Sequence, residues 1–158
     1  MESTNKLIDK LYEKYKGLPS NNPIVRMKQR NDAFELVVFD TLYGEEKGLD
    51  LVENPVSIVN ELSKYIVAPP DDGVDIVVEH ENIEGNIFDF VQVKNTELSD
   101  LDLQQAFLYM ENTAKKCSKN IENVGKNLKE VLANTGFSQG DAKNTHFIIV
   151  HTGEKKLF

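Results

Sequence analysis

At 158 residues, with 40% hydrophobic and 28% charged side chains, the chain has the length and balance of one globular domain with a sizeable core. No apolar run approaches the roughly 20 residues of a membrane span, and the charged N-terminus, Met1 to Gly17, lacks the apolar segment of a secretory leader. The single Cys117 excludes an internal disulfide and suits a reducing cytoplasm, and the net charge of −8 speaks against a uniformly basic nucleic-acid-coating protein.

In chain order, Leu7, Ile8, Leu11, Tyr12 and Tyr15 recur at helical spacing over residues 3–16, and Gly17, Pro19 and Pro23 close that segment. A second helix is predicted from Pro23 or Arg30 to Tyr43, with Phe34, Leu36, Val37, Val38 and Leu42 as its apolar set and Gly44 at its end. A shorter helix runs from Pro55 to Tyr65, with Val56, Val59, Leu62 and Ile66 on one side. The pattern then changes. Pro69 to Gly73 reads as a turn. Val74 to Glu79 and Ile87 to Lys94 read as strands of an antiparallel hairpin turning at Glu84–Asn86. Helix returns over Leu98 to Leu132, with Ser99 or Asp100 as N-cap and Gly125 as a divider. Leu101, Gln105, Leu108 and Asn112 track one of its faces, and Leu103, Phe107 and Met110 widen the apolar stripe. Gly136 to Lys143 is a loop, and His146 to His151 a final buried strand. A helical crossover between strands predicts α/β packing around a central mixed sheet flanked by helices.

Side chains alternate along a strand, so Phe88, Phe90, Gln92 and Lys94 share a face, and the two phenylalanines mark it as covered. An ammonium at the end of a covered face needs an anion. Asp75, at the start of the preceding strand, is the natural one. Pairing about Gly85 puts it opposite Asn95, next to Lys94. Two readings fit a carboxylate, an amide and an ammonium converging at one sheet edge. One is a structural ion pair with a hydrogen-bonded amide, the other a functional centre.

Asp72-Gly73-Val74-Asp75-Ile76 followed by Gln92-Val93-Lys94 resembles the PD-(D/E)XK nuclease superfamily, which places an acid on one strand and an acid or Gln, any residue and Lys on the next. The glutamine version is similar to Mrr-like restriction endonucleases and to the nuclease domains of abortive-infection phage-resistance proteins. Ala33-Phe34-Glu35-Leu36 matches the glutamate that the superfamily carries on the preceding helix. The likeness covers about residues 30–151. Two departures stand out: Gln92 replaces the usual acid, and the nearest prolines, Pro69 and Pro70, lie five or six residues before Asp75.

The resemblance implies a restriction-endonuclease-like core in a single domain over 1–158, and Mg²⁺-dependent hydrolysis of DNA, with Mn²⁺ as a substitute. It assigns Asp75 as the carboxylate ligand, the amide oxygen of Gln92 and the carbonyl of Val93 as further ligands, and Glu35 as a ligand directly or through water. Lys94 orients the attacking water and offsets phosphate charge. Asp71 and Asp72 are turn residues or extra ligands, with the turn preferred, and Glu79 and Asp89 are expected as surface or edge charges.

Charge is unevenly spread: residues 1–30 carry +4, residues 31–114 carry −16 and residues 115–158 carry +4. Arg26, Lys28 and Arg30 before the Glu35 helix, and Lys115, Lys119, Lys126 and Lys129 after the hairpin, are the candidate phosphate contacts; such sets are more often a solvated face, but both flank the proposed centre in sequence. No base-reading motif, Walker loop, dinucleotide fingerprint or Ser/His/Asp arrangement is present, and His80, His146 and His151 make no zinc pattern with Cys117. The expectation is therefore cleavage chemistry in prokaryotic restriction or anti-phage defence, with target choice made elsewhere. A non-cutting nuclease-like module and an RNA-cleaving member of the fold are the alternatives. The ending just past a strand points to further domains of a longer polypeptide, and double-strand cutting would suit a homodimer.

Overall fold

The computed structural model describes residues 10, 13, 20–51, 53–68, 73–80, 87–119, 124–135, 137 and 144–152. The predicted helix over 3–16, the turn at 69–72, the hairpin tip at 84–86 and most of the 136–143 loop lie outside them. The contacts divide the chain into two compact units, one of Met1–Ser63, Val93–Glu97 and His151–Phe158, the other of Lys64–Gln92 and Leu98–Val150.

In the first unit, helix α1 spans Pro23–Phe39. The Asn22 side chain caps it by accepting from the Ile24 and Val25 backbone amides, and Pro23 at the first helical position gives up no needed donor. The helix continues as a π-helical turn over Asp40–Gly44. There the Asp40 carboxylate turns back to accept from the Leu51 amide at 3.1 Å. A Cβ at Gly44 would fall 2.7 Å from that carboxylate oxygen and 3.0 Å from the Leu49 carbonyl oxygen, so a side chain there would press on the Asp40–Leu51 bond. Helix α2, Pro55–Leu62, starts behind the Asn54 cap and packs on α1. Its buried residues are Ile58 and Leu62, while Val56, expected inside, is 68% exposed.

The second unit holds the sheet except for Val93, Lys94 and His151 at two strand ends. Strands β1 (Ile76–His80), β2 (Ile87–Lys94) and β3 (Thr145–His151) lie in the order β1-β2-β3 and form a mixed sheet. β1 and β2 are antiparallel, with Ile76 opposite Val91 and His80 opposite Ile87. Two helices cross from β2 to β3: α3, Asp100–Lys119, and α4, Lys126–Thr135. Ser99 starts α3 with a reciprocal cap: its hydroxyl accepts from the Asp102 amide, and the Asp102 carboxylate accepts from the Ser99 amide. Gly125 separates the two helices, and its carbonyl accepts the first bond of α4, from the Lys129 amide.

The core lies on one face of the sheet. Val77, Phe88 and Phe90 pack with Met110, Ala114 and Cys117 of α3 and with Leu128, Val131 and Leu132 of α4. Phe88 and Phe90 both meet the ring of Phe137, at centroid distances of 4.9 and 5.8 Å, and Phe90 meets Phe147 of β3 at 6.2 Å. β3 is an edge strand and mostly half-buried, which differs from the fully buried strand expected from its apolar sequence. The inward face of α3 also differs from the expectation. Met110, Thr113, Ala114 and Cys117 are buried, whereas Leu101, Phe107, Leu108 and Tyr109 are exposed. The buried side of the helix carries small residues at 113, 114 and 117, and Leu101 and Leu108 lie on its exposed side.

Candidate functional site

Asp75 stands just before β1, where the backbone is fixed from both sides. Its amide donates to the Val91 carbonyl at 2.8 Å, and its carbonyl accepts from the Val67 amide at 2.8 Å. Residues 65–67 run along the outer side of β1, with an antiparallel bridge from Ile66 to Ile76 and a bond from the Val77 amide to the Tyr65 carbonyl. Ahead of Asp75, Gly73 has φ +80°, and an added Cβ would fall 2.4 Å from the Tyr109 ring. The turn therefore requires glycine both for its backbone and for the aromatic ring of α3 lying against it.

Continuing the observed register by one step sets Asp75 opposite Gln92, three residues short of the Asn95 expected from a turn centred on Gly85. The side chains meet: the Gln92 Nε2 donates to Asp75 Oδ2 at 3.0 Å, with both residues at least nine-tenths buried. A buried carboxylate accepting from an amide is stabilised by about 1.5–3 kcal/mol relative to one left without a donor. Val93 follows on the strand and is buried, and Lys94, its last residue, is exposed. An ammonium with access to water has no need of the buried anion that its place beside Phe88 and Phe90 seemed to demand. Among the described residues Lys94 makes no ion pair.

Glu35 lies on α1 in the other compact unit, half-buried, with its Oε2 withdrawn from solvent. Of the cationic candidates, Lys28, Lys115, Lys119 and Lys126 are exposed, and Arg26 and Arg30 are half-buried. Lys115 pairs with Glu111 at 3.0 Å and Lys126 with Glu130 at 4.0 Å, each one helical turn away. Exposed pairs of this type contribute a few tenths of a kcal/mol and open readily, about 0.3–0.5 kcal/mol each. Asp71 and Asp72 lie outside the described residues.

One polar cluster has no counterpart in the sequence motifs. Asp89, expected at the surface, is 6% exposed on the face of β2 opposite to Phe88, Phe90 and Gln92. Its Oδ2 lies 2.6 Å from His80 Nε2 on β1, and its Oδ1 3.5 Å from His146 Nδ1 on β3. A carboxylate on the central strand thus reaches both neighbouring strands. The sequence signal was an acid between two phenylalanines, Phe88 and Phe90, which a covered strand admits only with a partner. Among the described residues no group of three or more His, Cys, Asp or Glu side chains is arranged to hold a metal ion. Asp89→Asn is expected to lower unfolding stability by about 1–3 kcal/mol, most of it through His80, since His146 is largely exposed. A urea midpoint equal to that of the parent chain would show that the cluster contributes nothing.

Compared with known proteins, the chain matches no family model, no curated protein and no solved structure. Among the described residues no helix is long and apolar enough to cross a membrane.

Proposed function

We propose that the chain is a divalent-metal-dependent phosphodiesterase acting on DNA, built on a restriction-endonuclease-like core of the PD-(D/E)XK type. The buried Asp75–Gln92 pair carries this reading: two side chains far apart in sequence, on the two motif segments, meet at 3.0 Å. The donor types suit a hard cation, since Mg²⁺ takes oxygen ligands at about 2.0–2.1 Å and adjacent octahedral ligands then lie about 2.9 Å apart. In the hydrogen-bonded pair the Gln92 nitrogen occupies that distance. A half-turn of the amide brings its oxygen there instead, so the same pair serves with and without a cation.

The reading gives Asp75 the charge that holds the ion and Gln92 a neutral oxygen beside it. The Val93 carbonyl and Glu35 are assigned the remaining protein ligands, and Lys94 the water and the phosphate. A bound dication would lower the pKa of its water and neutralise charge developing on phosphorus. Lys94, exposed at the strand end, is accessible to a phosphate and carries a positive charge on a flexible stem. Arg26, Lys28, Arg30, Lys115, Lys119 and Lys126 are assigned to the DNA backbone. A role in defence against foreign DNA rests on the family resemblance alone.

A second reading, a nuclease-like module that binds without cutting, is favoured by the self-satisfied Asp75–Gln92 bond. Plasmid nicking with Mg²⁺, Mn²⁺ and EDTA separates the two, and an RNA substrate run in parallel addresses the choice of nucleic acid. Cutting is expected with either metal and not with EDTA. Lys94→Ala is expected to lower kcat by about 10²-fold or more while Mn²⁺ affinity stays within about threefold, as befits a residue that acts on water and phosphate. Cutting that persists in EDTA, or that Lys94→Ala leaves intact, would remove the mechanism.

A further inference from the structure

Strands β2 and β3 end side by side. β1 and β2 are antiparallel, so in the mixed sheet β3 runs parallel to β2, as the helical crossover between them requires. The level of one strand against the other is fixed twice. Asp89 reaches His146 on one face, and Phe90 meets Phe147 on the other. The same stagger, carried to the strand ends, sets Lys94 level with His151. The face agrees as well. Phe147 and Ile149 pack on the core that holds Phe88 and Phe90. Alternation then puts His151 on that side of β3 and Lys94 on that side of β2. Adjacent strands lie about 4.8 Å apart, so the two residues are neighbours. Both belong to the same compact unit.

Two donors thus stand together without an acceptor between them. Lys94 is exposed and makes no ion pair among the described residues. His151 is half-buried, and its Nδ1 is shut off from water with no hydrogen-bond partner among the described residues. The other two histidines differ, since His80 lies 2.6 Å and His146 3.5 Å from the Asp89 carboxylate. A buried ring nitrogen without a partner is costly, and native structures hold few of them. An anionic oxygen set against Lys94 would give the ring that partner. The neutral imidazole has one N–H, and either nitrogen can carry it. In open α/β sheets ligands gather outside the carboxyl ends of the strands, which is where both residues stand.

We propose that His151 is a phosphate-binding residue, its ring donating to a non-bridging oxygen of the DNA backbone phosphate that Lys94 neutralises. The identity of the phosphate rests on the phosphodiesterase reading; the pairing of the two residues rests on the strand ends alone. Their parts differ. Lys94 brings a charge that counts most as negative charge develops around phosphorus, whereas a ring N–H holds the phosphate alike before and during reaction. Loss of His151 therefore raises KM, where loss of Lys94 lowers kcat.

The test follows the ring nitrogens of His80, His146 and His151 by NMR in the full chain with isotope-labelled histidine. The protein is titrated in EDTA at constant pH, once with inorganic phosphate and once with a short DNA duplex. Both ligands are expected to shift the His151 signals saturably and to leave those of His80 and His146 in place. Lys94→Ala is expected to weaken both titrations at least about threefold, because a charge-assisted contact is lost. In plasmid nicking, His151→Ala is expected to raise KM about tenfold with kcat within about threefold, and His151→Gln, which keeps an N–H donor, to recover most of the loss. Circular dichroism verifies the fold of each variant, and the titration of the parent decides even where a variant fails to fold. His151 signals that ignore both ligands, or a KM unchanged in His151→Ala, would overturn the proposal. So would a response to inorganic phosphate alone, which would make the pair a site for a free anion. A chain whose His151 answers both ligands but which never nicks DNA would remove the phosphodiesterase reading and leave the phosphate pair standing.

Discussion

Asp75→Asn is expected to abolish metal-dependent cleavage and leave the protein folded. Asparagine keeps the size of the side chain and one oxygen, so the 3.0 Å bond from Gln92 Nε2 survives, as do the backbone bonds of residue 75 to Val91 and Val67. What is lost is one unit of negative charge at a site nine-tenths buried. A hard dication exchanges hydration water for protein oxygens only where charge attracts it, and Gln92 supplies none. The loss in kcat/KM is expected to be about 10³-fold or more, equivalent to at least about 4 kcal/mol of transition-state stabilisation. Stability should hold or rise, because a buried charge is removed without removing its hydrogen bond. Two measurements decide the matter. Calorimetric titration with Mn²⁺ should lose its binding heat, and thermal unfolding should shift by no more than a few degrees. Unchanged Mn²⁺ affinity, or cleavage within tenfold of the parent, would make Asp75 a structural residue. A variant that unfolds would instead make Asp75 structural, a buried carboxylate whose charge strengthens the bond from Gln92 and so holds the two strands together.

The hairpin could be read from the sequence because alternation is a local property. Ile87 to Lys94 carries its phenylalanines at 88 and 90, and β2 has those bounds. The likeness of Gly73-Val74-Asp75 and Gln92-Val93-Lys94 to a family motif put Asp75 and Gln92 together before any coordinate did. Register was another matter. Glu84–Asn86 supplies turn residues but not the hydrogen-bonding partners of the strands, and the observed pairs centre between residues 83 and 84. That shift of three moved Asp75 from Asn95 to Gln92 and removed the reason for burying Lys94. On α3 the period was right and the face mostly wrong: of the apolar set named from the sequence, Met110 is buried and Leu101, Phe107 and Leu108 are exposed. Leu101 and Leu108 outweigh Ala114 and Cys117 in hydrophobicity, yet the side packed into the core is the one that carries Met110, Ala114 and Cys117. Asp89 was misjudged because its partners come from His80 nine residues earlier and His146 far later, and no local pattern announces a strand pairing made through two intervening helices. Glu35 illustrates the remaining limit. A glutamate on an amphipathic helix has the same sequence signature whether it binds a metal or water, so its role came from the resemblance alone.

Phe90→Ala is expected to be the most destabilising single change in the sheet. The ring is completely buried at the centre of β2, and it meets Phe137 at 5.8 Å and Phe147 at 6.2 Å. Its removal forfeits the transfer free energy of the ring and leaves a cavity bounded by a rigid strand and two helices, a combination that typically costs about 3–5 kcal/mol. Domains of this size hold about 5–15 kcal/mol in total, so the variant should lose at least about a fifth of its stability, and nearly all of it where the parent lies at the lower end of that range. Phe90→Leu, which keeps most of the volume, is expected to cost about 1.5 kcal/mol or less if the neighbours repack. Urea unfolding of both variants gives the comparison, and a two-state midpoint shift for Phe90→Ala of under 1 kcal/mol would mean that this face of the sheet is not the core. The two substitutions also separate scaffold from chemistry. Phe90 and Gln92 occupy the same face two residues apart, so the aromatic core fixes the strand segment from which Gln92 reaches Asp75. A variant that retains the fold but loosens this segment should weaken Mn²⁺ binding through position alone, whereas Asp75→Asn weakens it through charge.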